Sequence, residues 1–267
     1  MSSPQILATD LDGTLIPLHG HPQNVTDLQE LEQKLREQNR TLIFVTGRHL
    51  ESIQDAISRH SLPNPEWIIA DVGTSIYRRT GESDFEAVEE YQSHQAEMTE
   101  TFPIDKLRHA LEGIEALELQ EEEKQGRFKL SYYTDPVHIE PLTDRLQEFI
   151  EVNSAPYSLI ASIDPFTKGG LLDLLPKSIS KAYALNWWHR QQDRNPEETL
   201  FAGDSGNDLA ALTGGYRSII VGNADPQLVN QVQAEHNRAG WSNRLHKAEQ
   251  VATSGVLEGC QKFGLFD

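Results

Sequence analysis

The sequence predicts an α/β protein: a doubly wound parallel sheet with an α+β segment inserted into it. Three observations carry this. Short apolar runs alternate with amphipathic stretches of helix length in the first part of the chain. From about Ser83 the composition turns polar and acidic, and the alternation stops. After Thr167-Lys168-Gly169-Gly170, read as a hinge, the first pattern resumes. At 267 residues, 37% of them hydrophobic, the chain can form one large domain or two small ones around a substantial core.

The elements follow in order. Gln5–Thr9 is a buried strand ending at Asp10. A helix is predicted over about 26–38, with Thr26 and Gln29 as a capping box and Leu28, Leu31 and Leu35 as its buried stripe. Thr41–Val45 is a second strand, 50–60 a helix with Ile53 and Ile57 at i, i+4, and Trp67–Ala70 a third strand. Strand–helix–strand–helix–strand is the pattern of a Rossmann-like parallel sheet with crossover helices. Residues 76–82 read as a hairpin. The inserted segment shows helices near 104–116 and 139–152 and strands at 128–133 and 157–163. Beyond the hinge come a strand at 171–175, a helix over 181–191 with Ser180 as N-cap, and a strand at 199–202. A short helix at 203–208, a strand at 218–221 and helices near 226–236 and 246–263 close the chain. The expected division is 1–82 with 168–267 as one domain and 83–167 as the other.

A formal net charge of −18 argues against nucleic acid and against an anionic membrane surface. A single cysteine, Cys260, allows neither a disulfide framework nor a cysteine-based zinc site, and is expected to be buried. The ten histidines include no helical His-x-x-x-His pair. No apolar run approaches 18 residues and no signal-peptide pattern opens the chain, so a soluble, cytoplasmic protein is expected. A monomer is the default expectation.

The chain is organised around Asp10-Leu11-Asp12-Gly13-Thr14. Two carboxylates at a strand end repel unless a cation lies between them. In an open parallel sheet, ligands bind beyond the carboxyl ends of the strands. Thr46-Gly47, Lys181 and Asp204–Asp208 fall at the same edge. A hydroxyl and a helix-start lysine suit phosphate, and clustered acids suit Mg²⁺. The bland readings are weaker. A calcium loop starting at Asp10 needs Gly at its sixth place and an acid at its twelfth, where this chain has Leu15 and His21. Gly203-Asp204-Ser205-Gly206 is similar to the serine of trypsin-like proteases, but it sits in an α/β pattern. Trp187 and Trp188 lie mid-helix and are expected to pack.

Together the four motifs resemble those of the haloacid dehalogenase (HAD) superfamily of phosphatases: Asp-x-Asp-Gly-Thr, a strand-end Thr, an isolated Lys and Gly-Asp-x-x-Asn-Asp. The insert between the second and third motifs matches the cap domain of the Cof-type branch. Phe128–Tyr133, Leu171–Pro176 and Gly203–Asp208 are similar to stretches of sucrose-phosphate phosphatases. The resemblance implies Asp10 as nucleophile, through an aspartyl-phosphate intermediate, and Asp12 as general acid and base. It implies Mg²⁺ held by Asp10, the Asp12 carbonyl and Asp204, with Asn207 and Asp208 orienting that shell. Thr46, Gly47 and Lys181 would hold the phosphate. Such cations are required physically. Two like charges at about 4 Å repel by roughly 4 kcal/mol at an effective dielectric near 20.

The inserted segment is expected to select the substrate. Alternation sends Lys129, Ser131 and Tyr133 to one face of a strand and Tyr132 to the other. A polar face with an aromatic platform suits a sugar; an ordinary solvated face is the equal alternative. Gly73, Thr74, Ser75 and Lys168 are expected to flank the cleft, and Arg48 to reach the ligand. Two departures bear on the substrate. Ser75 stands where the resembled phosphatases carry Glu, and Gly170 where a Lys is expected, with Lys168 nearby. The expected substrate is thus sucrose 6-phosphate or a related disaccharide or glycosyl-osmolyte phosphate. A phosphomutase, or an idle binding domain docked to a sugar-phosphate synthase, are the alternatives.

Overall fold

The computed structural model describes residues 3–163 and 167–266. The chain divides into two compact units, Met1–Ala87 with Lys181–Asp267, and Val88–Ser180.

The first unit begins with β1 (Ile6–Thr9), α1 (Pro22–Glu37), β2 (Thr41–Val45), α2 (Leu50–His60) and β3 (Trp67–Ala70). A hairpin of β4 (Ser75–Arg79) and β5 (Phe85–Ala87) follows. α1 starts four residues before the expected Thr26. Pro22 occupies its first turn, where a missing N–H costs nothing. Leu28, Leu31 and Leu35 form its buried stripe as expected.

The second unit contains α3 (Glu89–Thr99), α4 (Ile104–Leu111), β6 (Glu118–Leu119), β7 (Leu130–Thr134), α5 (Ile139–Val152), β8 (Tyr157–Ile163) and β9 (Gly170–Pro176). The chain then returns to the first unit with α6 (Lys181–Gln191), β10 (Thr199–Gly203), α7 (Leu209–Leu212), β11 (Arg217–Ile220), α8 (Pro226–Ala239), β12 (Leu245–Lys247) and α9 (Ala252–Lys262).

The first unit's sheet has the order β12-β11-β10-β1-β2-β3-β4-β5. Its first six strands run parallel; β4 and β5 are antiparallel additions at one edge. The α/β, Rossmann-like expectation is met. β1 lies near the centre and is buried throughout, which is why its sequence is continuously apolar. α1 and α9 cover one face with Leu28, Leu31, Leu35, Val256, Leu257 and Cys260 in a common core. The single helix expected over 246–263 is instead β12, a turn and α9. The turn is fixed by Glu258, whose carboxylate accepts from the amides of Glu249 and Gln250, both at 3.0 Å, and pairs with His246 at 2.7 Å.

The second unit has an antiparallel sheet of order β6-β7-β9-β8, with its own core of Leu107, Leu130, Tyr132, Leu146, Leu172 and Leu174. This corrects one expectation. The strand at 171–175 belongs here, between β7 and β8, and not to the parallel sheet. A mostly apolar central strand, Gly-Leu-Leu-Asp-Leu-Leu-Pro, reads alike in either sheet. The expected boundaries at 82/83 and 167/168 thus give way to 87/88 and 180/181. Thr167–Gly170 is no hinge between units, since Gly170 pairs with Thr134 and Ile163 inside the second. α3 was not foreseen because its buried stripe is Tyr91, Gln95 and Thr99, mostly polar. Among the described residues, no helix is long and apolar enough to cross a membrane.

Candidate active site

At the carboxyl end of β1 the parallel pairing continues one residue further, Asp10 N donating to Ala202 O at 2.9 Å. This places Asp10, 4% exposed, beside the end of β10. The chain then turns sharply. Asp12 (ψ 125°) and Gly13 (φ +73°) leave helical geometry. Only glycine fits at 13, because a Cβ there would stand 2.3 Å from Asp204 Oδ2. Thr14 Oγ1 donates to Asp204 Oδ1 at 2.9 Å, tying the first motif to the fourth.

Lys181 opens α6 and is wholly buried. Its ammonium bridges Asp10 Oδ1 at 2.8 Å and Asp208 Oδ1 at 2.7 Å. Burial opposes the charge, but the two carboxylates outweigh it and hold the lysine pKa above its ordinary value. Asp208 is built into the turn after β10. Its Oδ2 accepts from the amides of Asp204 and Ser205, each at 3.1 Å, and from Ser205 Oγ. Gly203 leaves room for it, since a Cβ would meet Asp208 Cγ at 2.7 Å.

Asp10, Asp204 and Asp208 offer oxygens within 4.8 Å of one another. Three carboxylates against the one ammonium of Lys181 leave a net charge of −2 in a largely buried space. The strain shows in the acidities. Burial, with repulsion from Asp208 and Asp204, pushes Asp10 well above the carboxylate range despite Lys181. Burial and then Asp208 push Asp204 up to about 6. A hard divalent cation among these oxygens relieves both effects, so the donor set fits one.

Asp12 lies outside that cluster. Both its oxygens are taken by Arg48, from Nε to Oδ2 and Nη2 to Oδ1, each at 2.7 Å. Arg48 Nη1 reaches the Ser52 carbonyl and hydroxyl at 3.3 and 3.2 Å. Arg48, expected on the ligand, is therefore engaged on Asp12. Thr46 directly follows β2, 1% exposed, and its hydroxyl accepts the Arg48 amide at 3.3 Å. The loop after β3 supports this segment, Val72 N donating to Thr46 O and Asp71 N to Arg48 O. Three residues in succession, Asp71, Val72 and Gly73, have positive φ (52°, 60° and 101°). Val72 is β-branched, and such strain concentrates at functional loops. Thr74 is buried and bonds Asp71 O at 3.0 Å; Ser75 opens β4. Gly47 lies beside Asn207, whose Nδ2 is 4.0 Å from where a Gly47 Cβ would stand. Asn207 Oδ1 accepts from Ser205 Oγ at 3.1 Å.

In the second unit, the expected alternation along β7 holds. Tyr132 enters the core, while Ser131 Oγ donates to Asp173 Oδ1 on the paired strand. Burial raises Asp173, and the charge of Lys129 pulls it back. Asp173 was missed because its strand was assigned elsewhere, yet an acid inside an apolar strand is itself a signal of a partnered buried charge. Tyr133 donates to Glu121 Oε2 at 2.9 Å and accepts from Lys124, so its hydroxyl is spoken for locally. Lys168 lines a groove at one end of this sheet with Tyr133, Asp135 and His138.

The family model for sucrose-6F-phosphate phosphohydrolase matches residues 3–264. A HAD-like hydrolase of Nitrosococcus oceani is 35% identical over 97% of this chain and 71% of its own length. The mannosylfructose-phosphate phosphatase of Agrobacterium fabrum is 28% identical, covering 98% and 97%. Among solved structures, a sucrose-phosphatase from Synechocystis, in complex with sucrose and phosphate, superposes with a TM-score of 0.79 at 26% identity, covering 98% of both chains.

Proposed function

The chain belongs to the sucrose-6F-phosphate phosphohydrolase family, phosphoric monoester hydrolases of HAD type acting on sugar phosphates, and we propose that it hydrolyses a disaccharide or glycosyl-osmolyte phosphate with Mg²⁺. The observation that carries this is the buried cluster in which Lys181 bridges Asp10 and Asp208 beside Asp204. A carboxylate is held next to a cation, in a pocket whose remaining charge calls for a divalent ion.

Asp10 is the nucleophile. Its carboxylate oxygen forms a bond to phosphorus as the bond from phosphorus to the sugar oxygen breaks. Asp12 donates a proton to that departing alkoxide. Asp12 then takes a proton from water, whose oxygen attacks phosphorus and releases Asp10 with inorganic phosphate. Lys181, Thr46, the Gly47 amide and Asn207 hold the phosphoryl oxygens and stabilise their charge. Asp10, Asp204 and the Asp12 carbonyl would hold Mg²⁺, with Asp208 orienting them. When bound, that ion neutralises the repulsion between carboxylate and phosphate.

Substrate choice rests with Lys129, Ser131 and Asp173 of the second unit and with Ser75 of the first. With Ser75 in place of Glu, sucrose 6-phosphate and a related disaccharide or glycosyl-osmolyte phosphate both stay in the substrate class, and the likeness to a mannosylfructose-phosphate phosphatase supports that wider class. The test is phosphate release from mono- and disaccharide phosphates, with Mg²⁺ supplied or chelated. Release is expected with at least one disaccharide phosphate, abolished by chelation and by Asp10→Asn. Equal release by Asp10→Asn removes the nucleophile, and an isomeric sugar phosphate in place of free phosphate replaces hydrolysis with a mutase.

A further inference from the structure

The turn that carries Asp12 departs from regular helical geometry at Asp12 and Gly13, and Ile16 N donates to Leu11 O at 2.9 Å where it ends. The carbonyls in between need partners from elsewhere. They find them in two distant places. Asn223, after β11, donates Nδ2 to Gly13 O at 2.8 Å, while its Oδ1 accepts the amide of Ala252 at 2.8 Å. Thr253, in the first turn of α9 and fully buried, donates Oγ1 to Leu15 O at 2.6 Å. With Thr14 bonded to Asp204, three successive residues are fixed by three separate segments. Asn24 extends the fastening, bonding Ser254 Oγ at 2.7 Å and Val251 O at 3.1 Å, and accepting Leu18 N at 3.1 Å.

We infer that Asn223 and Thr253 are positioning residues, which fix the turn behind Asp12 so that its carboxyl meets the departing oxygen. This rests on the phosphatase reading above. Among the described residues, the hydrogen bonds of Asn223 and Thr253 go to Gly13, Ala252 and Leu15 and not to Asp10, Asp12 or Lys181. The Gly13 carbonyl follows the peptide that Asp12 shares with Gly13, so holding it fixes the backbone from which the acid projects. A reacting group displaced by about 1 Å can cost on the order of 100-fold in rate. Asn223 is exposed, and losing its two hydrogen bonds costs stability only about 2 kcal/mol. Rate and stability should therefore separate.

The experiment compares Asn223→Ala, Asn223→Asp, Thr253→Val and Thr253→Ser with the wild type. Asn223→Asp keeps an acceptor for the Ala252 amide but loses the donor to Gly13. Thr253→Ser keeps the hydroxyl that Thr253→Val removes. The readouts are kcat and KM on a sugar phosphate and on 4-nitrophenyl phosphate, Tm, and hydrogen exchange over residues 11–16. The first three variants should lose about 10- to 100-fold in kcat on the sugar phosphate, with KM unchanged. Their first turnover of 4-nitrophenyl phosphate should suffer less, because nitrophenolate leaves without a proton. Exchange over 11–16 should quicken in the same three, and Thr253→Ser should match the wild type. Unchanged exchange, wild-type kcat, or equal losses on both substrates that track a lowered Tm each overturn the inference. If the wild type releases no phosphate, the phosphatase reading fails, and exchange over 11–16 alone then decides whether these residues fasten the turn.

Discussion

Lys181 shows how one buried charge organises this site. Its ammonium is wholly buried between two carboxylates, so it is stable only while both are present. Replacing one member of a buried ionic group strands the others, at about 3–5 kcal/mol. Lys181→Ala is therefore expected to lower Tm clearly and to cut kcat by at least about 100-fold; thermal melts and phosphate release check both. A mild effect would mean that another cation holds the phosphate. Arg48→Lys keeps the charge but cannot grip both oxygens of Asp12. One charge-assisted hydrogen bond lost, about 1.5 kcal/mol, predicts a roughly tenfold fall in kcat with little change in KM. A rise in KM alone would return Arg48 to the ligand. Gly13→Ala should leave the circular dichroism unchanged and abolish turnover, since its Cβ would stand inside Asp204. These residues were legible from the motifs, because motif spacing encodes chemistry. Arg48 was legible as important but not in its role, because an arginine's partner is chosen across space.

At the scale of the element, α6 carries both the lysine that bridges Asp10 and Asp208 and an unusual core. Trp188 packs edge-on to Trp67, with centroids 5.8 Å apart, and His189 stacks on Tyr216 at 5.6 Å. His189 is 2% exposed, and burial pushes its pKa down to about 4. The unfolded chain, near 6.5, then binds more protons between those values. Stability from this group is present above pH 6.5 and lost as pH falls towards 4, by up to about 3 kcal/mol. Thermal melts from pH 7 to 4 should show this decline, and the uncharged His189→Gln should flatten it. An identical slope in the variant would place the acid sensitivity elsewhere. Helices with an apolar stripe, such as α1 and α5, were readable from periodicity. α3, whose stripe is polar, and β12, three residues long, gave no such signal.

For the molecule as a whole, two independent cores have two consequences. Residues 88–180 form a continuous stretch with its own sheet and apolar cluster. Expressed alone, this fragment is expected to melt cooperatively in calorimetry; a featureless trace would show that its core needs the rest of the chain. The first unit, with its net −2 cluster, should gain stability from Mg²⁺, about 2.7 kcal/mol at 100 times Kd. The gain is read as a shift in Tm and should vanish in Asp204→Asn. By itself the sequence determined the parallel sheet, the inserted unit and the four motifs at the strand ends. Hydrophobic periodicity and local residue chemistry are properties of neighbours in the chain. Only the tertiary structure decided that Gly170–Pro176 completes the second sheet, that Arg48 grips Asp12, and that Asn223 and Thr253 bond the carbonyls of Gly13 and Leu15. Which strand pairs with which, and which donor meets which carbonyl, depends on residues brought together by folding, and a linear pattern of polar and apolar positions carries no record of those meetings.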